Sequence, residues 1–227
     1  MSRSTLRSAL FLWAAMQAHG SWGVAFAPAD VSTPRPVIAY LHGMWASPEQ
    51  SCGTFIKAAA PFGWLVCPRG NAPLGQGRMW AGTGADALRQ LHRALDAAGA
   101  LAPGKLDRAD GTLVGYSNGA YFAAEAACAE KGRWTGLVLL SMKLALDPAR
   151  LRAAGVERIV LGAGDGDDAK ASLLALATRL ATSGISARFM SLGPGGHPFP
   201  PDMEDRMAEA IAWVRGAPQK KASSILF

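Results

Sequence analysis

Histidine and cysteine are scarce in this 227-residue chain, with four of the first and three of the second. No Cys-x-x-Cys pair and no cysteine–histidine cluster occurs, so no metal-ligand spacing is present. Charge is thin as well. Asp, Glu, Lys and Arg make up 18% of the chain against 50% hydrophobic residues, which excludes an intrinsically disordered body. Apart from Lys220 and Lys221 the basic residues are scattered, without a stripe interleaved with aromatics, so nothing supports a nucleic-acid-binding face. Two of the charges in the formal net +6 belong to Arg3 and Arg7. The remaining excess favours at most an anionic surface or substrate. No apolar run approaches the ~20 residues that span a bilayer. The length is ample for one buried core and too short for two ordinary domains.

What is present begins with the layout of an export signal over residues 1–27. Arg3 and Arg7 form a basic start, residues 10–16 a short apolar run, and Ala25-Phe26-Ala27 an A-x-A cleavage pattern, with Pro28 an awkward residue after the cut. These features predict a secreted or periplasmic protein; the alternative is a cytosolic chain with an extra amphipathic N-terminal segment. Export would permit one disulfide, Cys52 with Cys67, near the start of one βαβ unit; otherwise all three cysteines are reduced. Cys128 lies in an Ala-rich helical stretch and reads as an inert buried thiol.

Six short apolar runs, 37–41, 64–67, 112–114, 137–140, 159–161 and 187–192, alternate with helical patterns. Unbroken apolar runs are what parallel strands covered on both faces require. Leu88, Leu91 and Leu95 share one helical face, with Gly99 as the stop; Leu173, Leu176, Ala177 and Leu180 share another, with Gly184 as the stop. Met203, Met207, Ile211 and Val214 stripe a last helix before Gly216, and this stripe reads as core. The alternation predicts an α/β fold, a mostly parallel sheet with helices on both faces over 28–216, followed by a loose tail over 217–227. In such sheets chemistry sits just beyond the carboxyl ends of the strands.

There, after the third run, stands Gly115-Tyr116-Ser117-Asn118-Gly119, followed by a helix of small residues. This is a G-x-S-x-G elbow with a strand before it and a helix after it. Its glycines make room for a sharp, strained turn, and the helix start favours developing negative charge. Ser117 is therefore the candidate nucleophile, and a serine hydroxyl needs a base. Of the four histidines, His19 falls in the leader and His92 within a helix, where it reads as a solvated surface residue. His197, in Gly193-Pro194-Gly195-Gly196-His197-Pro198, follows the last strand and faces the elbow, so it is the candidate base. His42, in Leu41-His42-Gly43-Met44, sits where a fold of this kind supplies an oxyanion donor. The backbone N–H groups of Met44 and Asn118 are assigned to the oxyanion, and His42 to supporting that loop. The orienting acid comes from the run Asp165-Gly166-Asp167-Asp168; Asp165 stands soonest after its strand and is favoured, with Asp167 and Asp168 as rivals. One of the three is expected to cap the next helix. The order Ser–Asp–His is that of the α/β-hydrolases.

Together these residues resemble the α/β-hydrolase superfamily across nearly all of the chain after the leader. Leu106-Asp107-Arg108 ahead of the elbow, the Pro68-Arg69-Gly70 turn and Trp80 resemble the small esterase branch, including dienelactone-hydrolase-like proteins, phospholipase/carboxylesterases and polyhydroxybutyrate-depolymerase-like esterases. One departure bears on chemistry: dienelactone hydrolase itself uses a cysteine where this chain has Ser117. The resemblance implies a serine esterase without cofactor or metal, acting on a small-molecule or polymer ester. A peptidase or cofactor-free lyase on the same triad, or a catalytically silent binding protein, are the competing expectations. Only 142–158 lies between the fourth and fifth strands, which leaves no room for a lid domain and implies an open site for short-chain, soluble or polymer-borne esters. Met44, Trp45, Trp80, Met142, Lys143 and Phe199 are the candidates for its lining.

Overall fold

The computed structural model describes residues 18–217. In chain order the strands are β1 (Ala18–Gly20), β2 (Gly23–Phe26), β3 (Arg35–Leu41), β4 (Trp64–Pro68), β5 (Ala72–Leu74), β6 (Gly77–Met79), β7 (Leu106–Tyr116), β8 (Trp134–Leu140), β9 (Arg158–Ala163) and β10 (Ser186–Ser191). The helices are α1 (Gly84–Leu101), α2 (Asn118–Ala129), α3 (Pro148–Ala154), α4 (Lys170–Thr182) and α5 (Met203–Val214), with a broken helical stretch over 48–59. The six apolar runs are β3, β4, β7, β8, β9 and β10, as the sequence predicts.

These six strands run parallel within an eight-stranded sheet of order β1-β2-β4-β3-β7-β8-β9-β10. The apolar runs are continuous because both faces are covered. In β8, Leu137 and Leu139 enter the core under α1–α4, while Val138 and Leu140 enter the core under α5 and the 48–59 stretch. The Met203, Met207, Ile211 and Val214 stripe lies in that second core. Gly184 and Gly216 follow their helices with φ of 83° and 68°, the left-handed conformation expected of helix stops. Gly99 behaves differently: α1 continues through it to Leu101, because Ala98 and Ala102 extend the buried stripe past the glycine. That burial outweighs the roughly 1 kcal/mol that a helical glycine costs.

Cys52 and Cys67 form a disulfide, with Cα atoms 6.2 Å apart, which ties the 48–59 stretch to β4. Cys128 is half-buried on α2. The span 18–27 carries β1 and β2, with His19 opposite Val24 in the hairpin. β2 pairs antiparallel with β4 from Gly23 to Phe26, and Val24, Ala25 and Phe26 are buried, so a cut after Ala27 would strip the edge of β4. The basic residues Arg3 and Arg7 and the apolar run 10–16 lie outside the described residues, as does the expected tail from 218 onward. Among the described residues, no helix is long and apolar enough to cross a membrane, and no cluster of His, Cys, Asp and Glu is arranged to hold a metal. The β8–β9 connection holds only the short α3, so no large lid stands over the sheet there.

Candidate active site

The elbow is built by close backbone packing. Ser117 joins β7 to α2 with φ 53° and ψ −124°, a conformation that costs a non-glycine residue energy and is held by its surroundings. Its N–H donates to Leu140 O at 2.8 Å, anchoring the turn to β8. A Cβ on Gly115 would lie 2.5 Å from Ala120 Cα, and one on Gly119 would lie 2.1 Å from Leu41 O. Neither position has room for a side chain, which is the steric reason for the two glycines of the motif.

Ser117 Oγ lies 3.0 Å from His197 Nε2, and His197 Nδ1 lies 3.1 Å from Asp167 Oδ2. A carboxylate only accepts, so Nδ1 carries the proton and the Nε2 lone pair faces the serine hydroxyl. Asp167 is almost wholly enclosed, with 4% of its side chain exposed. Burial works to raise its pKa, but the Ala169 N–H, the Ser141 hydroxyl and His197 outweigh that effect and hold it below the ordinary carboxylate value. Its other carboxylate oxygen, Oδ1, accepts the Ala169 N–H at 2.8 Å in the turn ahead of α4, whose N-cap, Ala169, has no side-chain cap.

Asp165, favoured from the sequence because it follows β9 soonest, does not reach His197. The chain turns at 164–167, with Asp167 N–H donating to Gly164 O at 3.0 Å, and this turn brings the later aspartate back beneath the imidazole. Asp165 is left 43% exposed, accepting from Lys170 Nζ at 2.9 Å and Ser191 Oγ at 3.0 Å, and these two bonds lower its pKa. Its contribution is to the loop. Asp165 N–H donates to Gly193 O at 2.7 Å and Gly166 N–H to Gly195 O at 2.9 Å, zipping the acidic loop to the loop that carries His197. Asp168 is exposed.

His42 is fully buried and fixes the loop after β3. Its Nδ1–H donates to Gly43 O at 2.8 Å, while Nε2 accepts the Gly70 N–H at 3.1 Å. Both bonds belong to the neutral ring, and burial lowers its pKa. In a trans peptide the C=O and the next N–H point in opposite directions. Holding Gly43 O against His42 therefore turns the Met44 N–H away from His42. This loop passes close to the nucleophile, since a Cβ on Gly43 would lie 3.4 Å from Ser117 Cβ. Asn118 opens α2, where leading N–H groups have no intrahelical partner. Its side chain does a second job, accepting Trp80 N–H at 2.8 Å.

Trp80, expected in the lining, is instead buried beneath the loop, with Nε1 donating to His42 O at 3.0 Å. Trp45 is the opposite case, 66% exposed at φ 58°, next to Met44 at 38%. Met142 packs partly against the first core and Lys143 is exposed. Phe199 lies against Tyr116 and Phe55, with ring centroids at 4.4 and 5.6 Å. His92, expected in solvent, is partly exposed and bonds Glu130 Oε1 at 2.6 Å, remote in sequence from the elbow. Tyr116 carried no signal in the sequence beyond its place beside a strand end, while Asp167 stood there as a rival to Asp165.

No family profile matches the chain, and no curated protein resembles it in sequence. Solved structures do resemble it. A carboxylesterase from Mesorhizobium loti superposes with TM-score 0.62 at 23% identity, covering 81% of this chain and 90% of that one. The Bacillus cereus carboxylesterase gives 0.62 at 18%, covering 92% and 98%. FphF, a fluorophosphonate-binding serine hydrolase of Staphylococcus aureus, gives 0.64 at 15%, covering 87% and 96%. The chain has the α/β-hydrolase fold.

Proposed function

We propose that this chain is a serine hydrolase that cleaves carboxylic esters through an acyl-enzyme on Ser117. The observation that carries the reading is the unbroken run Ser117 Oγ–His197 Nε2 at 3.0 Å and His197 Nδ1–Asp167 Oδ2 at 3.1 Å, at the carboxyl edge of the sheet. His197 takes the serine proton as Oγ bonds to the ester carbonyl carbon. The carbonyl oxygen becomes an oxyanion held by the Met44 and Asn118 N–H groups. His197 then returns the proton to the departing alkoxide as the C–O bond breaks, and water repeats the sequence to free the acid and restore Ser117. Asp167, rather than Asp165, keeps the imidazole in the required tautomer. Trp45 and Met44 stand exposed beside this machinery and offer apolar contact to the substrate.

Esters are favoured over other acyl donors by the esterases among the structural relatives, and short or polymer-borne ones by the absence of a large lid after β8. A series of p-nitrophenyl esters from acetate to palmitate tests this. The expected result is the highest kcat/KM at acetate or butyrate; a rise toward palmitate with interfacial activation would contradict it.

We also propose that the protein is exported, as the basic and apolar N-terminal segments and the Cys52–Cys67 disulfide both support. The pairing of β2 with β4 and the burial of Val24, Ala25 and Phe26 support a mature N-terminus ahead of Trp22 rather than after Ala27. Intact mass of the periplasmic or secreted protein is expected to show this, and an active enzyme beginning at Pro28 would refute it.

A further inference from the structure

The loop that carries His197 has little to define it locally. Residues 193–201 contain three glycines and four prolines and adopt no helix or strand. Its first half is zipped to the acidic loop through Gly193 and Gly195. Beyond Gly196 that zipper ends. Among the described residues, the hydrogen bond that reaches the backbone of His197 comes from Tyr116, whose hydroxyl donates to His197 O. Tyr116 occupies the variable position just before the nucleophile, so it is fixed by the elbow itself.

The same ring touches both halves of the machinery. Its centroid lies 5.3 Å from the His197 ring and 4.4 Å from Phe199, which continues to Phe55 in the second core. An edge of the ring also abuts the loop after β3, since a Cβ on Gly43 would lie 3.0 Å from Tyr116 Cδ1. Any outward drift of the base loop must therefore break the Tyr116 bond and unpack Phe199. A shift of about 1 Å at a catalytic group is enough to cost ~100-fold in rate.

We infer that Tyr116 is a positioning residue, whose hydroxyl holds the backbone of His197 within reach of Ser117 and whose ring spaces the base loop from the oxyanion loop. Burial, reinforced by the Asp167 charge, pushes the phenol up to about 12, so the hydroxyl remains a donor throughout the neutral range.

The inference rests on His197 being the base, and the test separates the two. Tyr116→Phe keeps the ring and removes only the donor. With active enzyme counted by fluorophosphonate titration, kcat is expected to fall about fivefold, the factor for one hydrogen bond of ordinary net strength. KM should stay within about twofold. In a His197→Ala background the same substitution should have no effect on the residual rate, since there is no base left to position. An unchanged kcat, a raised KM with kcat intact, or an undiminished effect without His197 would each overturn the inference alone. Fluorophosphonate labelling of His197→Ala at the wild-type rate would overturn the base assignment and this inference with it.

Discussion

His197 Nδ1 is paired with the enclosed Asp167 carboxylate at 3.1 Å, while Asp165, two residues earlier, turns outward to Lys170 and Ser191. The two aspartates thus divide the work of one loop, one acting on the imidazole and the other on the backbone that carries it. Asp167→Asn should lower kcat by about 10³–10⁴, because an amide at this point favours the wrong histidine tautomer. Asp165→Asn should lose far less, about tenfold or under, since the backbone zipper remains. Steady-state kinetics of the two variants on one ester checks this; equal losses would reassign the acid.

His42 is expected to act through the oxyanion loop alone. His42→Leu fills a similar volume but neither donates to Gly43 O nor accepts from Gly70 N–H. Loosening one oxyanion donor should cost about 10–10³ in kcat, with KM little changed. The same residue makes stability depend on pH. Its folded pKa is depressed by burial, so the fold favours the neutral ring. That contribution is complete above the ordinary histidine value near 6.5 and is lost as pH falls below it. Asp167, also depressed, adds a second loss further down, below the ordinary carboxylate range. Thermal melts between pH 7 and 5 should show wild type losing stability more steeply than His42→Leu.

Much of this was legible in the sequence, for physical reasons that are easy to name. β3, β4 and β7 to β10 are covered on both faces, so their apolar runs stand out. Ser117 is legible because the strained turn forbids side chains at Gly115 and Gly119. The edge elements were not: β1 and β2 overlap the segment with leader features, and β5 and β6 are three residues each. Choosing Asp167 over Asp165 required the turn at 164–167, which depends on how Gly164 packs against Gly195 and Gly196 of a distant loop. Trp80 reads as a pocket residue by position, yet its two hydrogen bonds make it a strut under the loop.

The Cys52–Cys67 bridge closes a loop with a sequence separation of 15 and clamps the stretch bearing Phe55, against which Phe199 packs. Cys52→Ser with Cys67→Ser should cost about 3 kcal/mol. For a chain of this size that is a fall of roughly 6–12 °C in Tm. Because Phe55 supports the base loop through Phe199, some loss of kcat should accompany it at temperatures well below the melt. Calorimetry and ester assays on the double variant, beside wild type with and without reductant, measure both.

Everything in the mechanism hangs on the hydroxyl of Ser117. Treatment with a fluorophosphonate probe, followed by mass spectrometry of the intact protein and of its peptides, reads that hydroxyl directly. The expected result is one adduct per wild-type molecule, on the peptide holding Gly115-Tyr116-Ser117-Asn118-Gly119, and none on a folded Ser117→Ala variant. An adduct that persists in Ser117→Ala, or a folded wild-type protein that takes up no probe, would contradict it.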